Sequence, residues 1–157
     1  MKILYITNHI DIAKASGGFI NDYQNDLVFY GLRELFGDDV VDSTQIVSLY
    51  KEYEGKIDPR HLWGGMTTFW LIGDNNIDRT NIEEKIKDRY YDLIIYGAIK
   101  RCKQYYDIVS RAHHEGLKGL VQLNSSLDQT KPVLMTIPGS VAGSGITKIE
   151  WIKYFDN

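Results

Sequence analysis

The amino-acid sequence predicts a three-layer α/β domain with a mainly parallel sheet. Short apolar runs typical of buried parallel strands occur at residues 2–7, 93–98 and 133–137. Segments with helical spacing of apolar residues lie between them. Alternating strands and helices favour one parallel sheet covered on both faces, so these three strands are expected to be parallel neighbours.

The first strand, KILYIT, is followed by a polar loop that carries Gly17 and Gly18, and by a helix. Asn21 or Asp22 is the predicted N-cap of that helix, and Gly37 is expected to follow its last turn. Its apolar face is predicted from four residues at helical spacing: Val28, Leu32, Leu35 and Phe36. Residues 39–42, DVVD, predict a short second strand.

Residues 44–65 show no clean period, and MTTFWLIGD at residues 66–74 predicts either a third strand or an apolar loop. Thr80 and Glu83 then form a capping-box pair, which predicts a helix leading into the strand at 93–98. A further helical stripe runs from Cys102 and stops at Gly116.

The last third of the chain contains one segment with two possible interpretations and one predicted strand. Residues 117–129 favour a strand with a turn or one more helix, while KPVLMTIP is the last strand, with Pro132 tolerated near its start. Neither an internal repeat nor a low-complexity linker is present, so residues 1–157 are expected to form a single α/β domain.

Ligands of open α/β sheets bind beyond the carboxyl ends of the strands, so the loops after Thr7, Tyr96 and Ile137 are the candidate site. All three contain glycine, which lets the backbone approach a ligand, and Lys100 and Arg101 offer charge for an anion. The candidate ligand-binding residues are Asn8, Gly17, Gly18, Asp22, Gly97, Lys100, Arg101, Gly139, Ser140 and Gly143.

Known phosphate motifs do not match the third loop. Gly139 and Gly145 are separated by five residues rather than the four of a P-loop, and Ile146-Thr147-Lys148 follows them. A nest of backbone N–H groups ahead of a helix and a merely flexible loop are the two open interpretations of this segment. Each glycine-rich loop has the same structural alternative, a tight turn without a ligand.

Composition excludes several classes of function. The net charge of −3 gives no footprint for nucleic acid or an anionic membrane, and no apolar stretch is long enough to span a bilayer. The four histidines show no metal-ligand spacing, so neither a metal nor a cofactor is expected. One cysteine and no signal-peptide pattern favour a cytoplasmic location. The aromatic segment from Trp63 through Phe69 to Trp70 predicts either a ligand pocket or a homo-oligomer contact.

Two family resemblances follow from ordered segments. NDYQNDLVFYGLRELFGDDVVDS, LWGGMTTFWLIGD and IEEKIKDRYYDLIIYGAIKRC together resemble the N-terminal Rossmann-like portion of bacterial glycosyltransferase-like proteins, over about residues 1–109. The resemblance implies a Rossmann-like or flavodoxin-like fold and half of a twin-Rossmann transferase, the half that faces the acceptor. Lys100 stands where that family has a histidine, and a second, donor-binding domain is not expected, so whether the chain is an enzyme is left open.

YDLIIYGAI and LNSSLDQTKPVLMTIPG are similar in layout to small deoxyribosyltransferase and N-glycosidase domains. That resemblance implies a nucleoside-processing enzyme with a catalytic glutamate. The corresponding segment offers Gln122, Asn124 and Gln129 instead, with Glu115 the only carboxylate near its start. The expected functions are therefore a module that binds a small anionic ligand (a nucleotide, sugar or sugar phosphate), a nucleoside-processing enzyme, or a dimeric interaction protein with a vestigial site.

Overall fold

The computed structural model describes residues 1–7, 23–58, 69–73, 76–99, 102–117, 119–123 and 134–136. Strands and helices alternate through most of these ranges, with short 3-10 turns at Gly37–Asp39 and Lys51–Tyr53. In chain order the elements are β1 (Ile3–Ile6), α1 (Tyr23–Phe36), β2 (Val40–Asp42), α2 (Ile82–Lys87), β3 (Leu93–Tyr96), α3 (Tyr106–His114), β4 (Gly119–Gln122) and β5 (Leu134–Thr136).

The five described strands form one sheet in the order β2-β1-β3-β4-β5. The first four are parallel, and β1 lies between β2 and β3 with Leu4 opposite both Val41 and Ile94. A mainly parallel α/β sheet is thus confirmed, and β1 takes the interior position that its apolar sequence predicts. The segment after Gly116, which the sequence left between strand and helix, contains β4.

The direction predicted for the last strand was wrong. β5 pairs with β4 in antiparallel fashion, with Val121 opposite Met135, and β4 separates it from β3. A short apolar run reports burial but carries no information on strand direction, and antiparallel edge strands on parallel sheets are common. The chain consequently leaves β5 at the edge where β1 and β3 begin, opposite to their carboxyl ends.

Side chains alternate between the two faces of the sheet, and each face has its own apolar cluster. Leu4 and Ile6 pack on one face with α2 and α3, whereas Ile3 and Tyr5 pack on the other with α1. All four of these side chains are fully buried. Helices on both faces of a central sheet make the three layers that the sequence predicts.

Helix α1 ends where predicted, because Gly37 follows it with a left-handed φ of 58°. Phe29 is fully buried against the sheet, and it was not among the residues predicted for the apolar face. Leu35 was, but it is 77% exposed. The predicted stripe is therefore wrong at Leu35, since the side of α1 that packs on the sheet is centred on Phe29.

The capping box predicted for α2 does not form. Asn81 precedes the helix with a left-handed φ of 50°, and the Thr80 hydroxyl donates to Asp78 Oδ1 at 2.5 Å. Helix α3 is likewise shorter than predicted, because Cys102 is buried but lies before its first residue. Gly116, with a φ of 109°, follows α3 as expected.

The described part of the middle segment is a loop with one strand-like contact. Ile72 donates its N–H to the Leu49 carbonyl at 2.8 Å and forms an isolated parallel bridge with Tyr50. Phe69 is only 6% exposed, so it is packed inside the chain rather than offered for self-association. Trp70 is half-buried, and Trp63 lies outside the described residues. In the described ranges, none of the helices has the length and apolar character needed to cross a membrane.

Tyr91 gives a prediction about pH. Its hydroxyl is buried and has no hydrogen-bond partner among the described residues, and burial raises its pKa to about 12. The unfolded chain loses this proton near pH 10, so the stability that depends on it is complete below pH 10 and falls as the pH rises toward 12. Tyr91→Phe is expected to stabilise the fold by about 1 kcal/mol at neutral pH, since an unsatisfied polar group is removed.

Urea denaturation at pH 7 and at several values above pH 10 checks this expectation. The decline in unfolding free energy between pH 10 and 12 should be shallower for Tyr91→Phe, by up to about 1.4 kcal/mol per pH unit. Equal slopes for the two proteins would mean that Tyr91 ionises equally easily in the folded and unfolded states.

Candidate functional site

The carboxyl ends of β1 and β3 form a topological switch point. These two strands are parallel neighbours, yet β1 leads to α1 on one face and β3 leads to α3 on the other. Phe29 of α1 packs with Tyr5, whereas Val109 of α3 packs in the opposite cluster with Tyr96. Connections that diverge to opposite faces leave a crevice between the strand ends, and open α/β sheets bind ligands there.

Gly97 is the predicted site residue that the structure describes, and it lies at this crevice. Its N–H donates to the Ile6 carbonyl at 2.9 Å, which continues the pairing of β1 and β3. A Cβ at this position would collide with the Tyr5 hydroxyl and the Asn25 side-chain oxygen, and would lie 2.7 Å from Tyr5 Cζ. Glycine is therefore required by close packing against β1 and the first turn of α1.

The other predicted site residues lie outside the described part of the chain. Lys100 and Arg101 come three and four positions after Gly97 in the sequence, on the connection that leaves β3. The remaining ones are Asn8, Gly17, Gly18, Asp22, Gly139, Ser140 and Gly143. Gly139, Ser140 and Gly143 follow β5 in the sequence. Because β5 is antiparallel, its carboxyl end does not lie at the same edge of the sheet as those of β1 and β3, so the argument that grouped these residues with the first two loops no longer applies.

A polar bridge that the sequence did not reveal crosses the carboxyl end of β1. The hydroxyls of Ser43 and Thr44, which follow β2, donate to Gln104 Oε1 at 3.3 and 3.4 Å. Gln104 precedes α3, and its carbonyl accepts a hydrogen bond of 2.8 Å from the Tyr96 hydroxyl. Because β1 lies between β2 and β3, these residues join the two sides of the switch point. We call Ser43, Thr44 and Gln104 the hydroxyl–amide bridge.

One signal in the sequence pointed to half of this bridge. Ser43 and Thr44 directly follow the predicted strand DVVD, just as the candidate residues of the first loop follow β1. Applying the same carboxyl-end rule to β2 would have selected both of them. Gln104 carries no such signal, since it contacts them across 61 and 60 positions of sequence.

Asp42, the last residue of β2, is fully buried and its carboxylate is saturated with donors. Arg79 donates from Nε at 2.9 Å and from Nη2 at 2.6 Å to Oδ1, while the Tyr50 hydroxyl and the Ile46 N–H donate to Oδ2 at 2.8 and 3.0 Å. Burial raises the pKa of Asp42, and the Arg79 guanidinium opposes that rise. Four donors around an acceptor-only carboxylate fit its ionised form.

This cluster has a structural role. Arg79 Nη2 also donates to the Tyr50 hydroxyl at 2.8 Å, and the guanidinium lies over the Tyr50 ring at 5.3 Å from its centroid. Two segments, one carrying Ile46 and Tyr50 and the other carrying Arg79, are thereby tied to the end of β2. Because the oxygens of Asp42 are already occupied, this carboxylate is not available to a ligand, although it lies at the strand end where an acidic residue often contacts a ribose.

A second buried carboxylate fixes the start of α1. Asp26 is 2% exposed and accepts a hydrogen bond of 2.7 Å from the fully buried Ser48 hydroxyl. A carboxylate in the first turn of a helix also interacts favourably with the helix dipole. Asp26 and Asn25 thus anchor α1 beside the crevice, with Asn25 accepting from the Tyr5 hydroxyl through its carbonyl at 3.1 Å.

A surface groove of about 140 Å³ lies between α2 and α3. It is lined by charges of both signs, and its residues are Lys87, Asp107, Ile108, Arg111, Ala112 and Glu115. Lys87 is already paired with Glu83 at 2.7 Å. Across the described ranges, His, Cys, Asp and Glu side chains do not gather in groups of three or more that would suit a metal ion.

The chain was compared with protein-family models, with curated proteins and with solved structures. No match was found in any of these three comparisons.

Proposed function

We propose that this chain binds a nucleotide, a sugar or a sugar phosphate at the carboxyl edge formed by β2, β1 and β3. The switch point between β1 and β3 carries this proposal, because it creates a crevice between connections that run to opposite faces of the sheet. Tight packing of Gly97 and the anchored start of α1 preorganise the two strand ends.

The anionic part of the ligand is assigned to the connections that follow β1 and β3. Lys100 and Arg101 follow β3 closely in the sequence, and Arg101 can bind a phosphate through two parallel hydrogen bonds. Gly17 and Gly18 precede α1, whose N-terminal N–H groups suit an anion. The resemblance to the N-terminal half of a twin-Rossmann glycosyltransferase supports the same ligand class.

Binding is favoured over nucleoside processing because the described residues offer no suitable acid at the crevice. Glu115, the carboxylate near the start of the segment in the second resemblance, follows α3 and lines the groove between α2 and α3. Asp42 is occupied by four donors, and Asp26, beside the crevice, is buried and accepts a hydrogen bond from Ser48. Glycoside cleavage requires a carboxylate free to stabilise an oxocarbenium-like transition state.

A thermal-shift screen with nucleoside diphosphates, sugar nucleotides, sugar phosphates and free nucleosides tests the proposal. A ligand that binds only the folded chain stabilises it with the logarithm of its concentration above the dissociation constant. At least one compound of these classes should raise the melting temperature in proportion to log concentration. A flat response to all of them at millimolar concentrations would refute the proposed function.

Arg101→Ala is expected to weaken binding of the best nucleoside diphosphate by about 1.5–3 kcal/mol, the scale of one charge-assisted hydrogen-bonding group. Fold stability should change little. Titration calorimetry measures the affinity, with Arg111→Ala as the matched control, because Arg111 is an exposed arginine on α3. Equal affinities of wild type and Arg101→Ala would remove Arg101 from the site and leave the first loop to hold the anion.

A further inference from the structure

We infer that the hydroxyl–amide bridge binds the uncharged, hydroxyl-bearing part of the ligand, its ribose or sugar ring, an inference that rests on the proposed function. The bridge runs from Ser43 and Thr44, after β2, across the carboxyl end of β1 to Gln104, before α3, and so borders the crevice. Lys100 and Arg101 belong to the connection on the β3 side. Gln104 follows Arg101 by three positions on that same connection, so a ligand in the crevice meets neutral polar groups at the bridge.

The geometry of the bridge leaves hydrogen-bonding capacity for a ligand. Both hydroxyls donate to the same Gln104 oxygen at 3.3 and 3.4 Å, longer than the usual 2.7–2.8 Å for this kind of bond. Within the described residues, the Gln104 amide nitrogen donates to no protein group, and it carries two N–H donors. These long bonds are easily exchanged for shorter ones to ligand hydroxyls.

The backbone of Gln104 is held more firmly than its side chain. Its carbonyl accepts a 2.8 Å bond from the hydroxyl of Tyr96, a fully buried residue of β3. Ser43 is 8% exposed and its N–H donates to the Tyr5 carbonyl at 2.8 Å. The amide and the first hydroxyl are thus presented from fixed backbone, as a preorganised site requires.

The hydroxyl–amide bridge differs from a phosphate-binding site in that it carries no positive charge. The carboxylate at the end of β2, Asp42, is occupied by donors from Arg79, Tyr50 and Ile46, and the bridge itself is neutral. A neutral donor–acceptor set suits sugar hydroxyls, which both donate and accept, better than it suits a dianion.

The test pairs a protein change with a ligand change. Wild type is expected to bind ADP or UDP about 2- to 13-fold more tightly than the 2′,3′-dideoxy counterpart, the range of one neutral hydrogen bond. Gln104→Met keeps the length of the side chain, removes the amide, and should abolish that preference while leaving the affinity for inorganic pyrophosphate unchanged. Lys103→Met, at the neighbouring exposed position, should preserve the preference.

Each result decides between the two levels of inference. Wild type that binds none of these probes would overturn the sugar site, and a flat thermal-shift screen as well would overturn the proposed function. ADP or UDP binding without any preference over the dideoxy compound would overturn the sugar site alone, as would a preference that survives in Gln104→Met. If Gln104→Met lost the same affinity for pyrophosphate as for the nucleotides, Gln104 would contact the phosphate or shape the crevice. That result would also overturn the sugar site.

Discussion

Replacing Arg79 by methionine is expected to lower the free energy of unfolding by about 3–5 kcal/mol, because the change leaves a buried carboxylate without its counter-charge. Asp42 is fully buried, and two of its four hydrogen bonds come from Arg79. The remaining donors, Tyr50 and Ile46, are neutral and do not compensate for the charge. Methionine retains much of the packing of the arginine stem over the Tyr50 ring, so the loss reports the charge rather than the volume.

Urea denaturation at pH 7 measures this loss, and Lys87→Met is its matched control. Lys87 also forms an ion pair, with Glu83 at 2.7 Å, but both side chains are about half exposed. Its removal should change the free energy of unfolding only slightly, as for other exposed pairs spaced by four residues. The double variant Asp42→Asn with Arg79→Met should recover part of the loss, because no unpaired charge remains. A change below 1 kcal/mol for Arg79→Met would show that water reaches Asp42 and that the cluster does not tie its three segments together.

The central part of the fold could be predicted because it depends on local patterns. The apolar runs around Leu4 and Ile94 are buried on both faces of the sheet, which is the situation that produces continuous apolar strands. Glycine ends α1 at Gly37 and follows α3 at Gly116, since both positions need a positive φ. Burial periodicity and backbone conformation are properties of neighbouring residues, so a sequence reports them directly.

The features that were mispredicted depend on contacts with other parts of the chain rather than on the sequence of the segment itself. The apolar run at β5 fits either strand direction, and pairing with β4 decides between them. Thr80 and Glu83 have the spacing of a capping box, but Asp78 binds the Thr80 hydroxyl instead. Leu35 follows the helical period, yet the side of α1 that faces the sheet is set by Phe29 against Tyr5. Local periodicity identifies candidates but does not choose between competing contacts.

The candidate site likewise contains one residue that a local rule could find and contacts that it could not. The carboxyl-end rule led to Gly97, which lies at the switch point, where its close contacts are with Tyr5 and Asn25. Neither the link from Ser43 to Gln104 nor the link from Asp42 to Arg79 leaves a local pattern, because 61 and 37 positions separate the partners. Long-range polar contacts appear only when the strand order is known.

Gly97→Val is expected to destabilise the fold by at least about 3 kcal/mol, the upper end of the usual overpacking cost, and to abolish ligand binding at the crevice. Even the first carbon of the new side chain would lie 2.7 Å from Tyr5 Cζ and would overlap the Tyr5 and Asn25 oxygens. Tyr5 is fully buried and its ring packs on Phe29 at a centroid distance of 5.6 Å, so it cannot turn aside. The Gly97 N–H bond to Ile6 would be disturbed at the same time, which separates the ends of β1 and β3.

Gly31→Ala is the control that distinguishes the effect of replacing a glycine from the effect of a steric clash. Gly31 lies inside α1, and a Cβ built there meets nothing within 4 Å. Alanine at that position should therefore stabilise the helix by about 0.5–1 kcal/mol. Urea denaturation of both variants measures the contrast, and titration with the best nucleotide measures binding at a temperature where Gly97→Val remains folded.

If Gly97→Val were as stable as wild type, Tyr5 and Asn25 would have to be free to move, and the rigid crevice on which the proposed site depends would not exist. If it were destabilised but bound the nucleotide normally, the crevice would be intact without close contact at Gly97, and the ligand would lie elsewhere on the carboxyl edge.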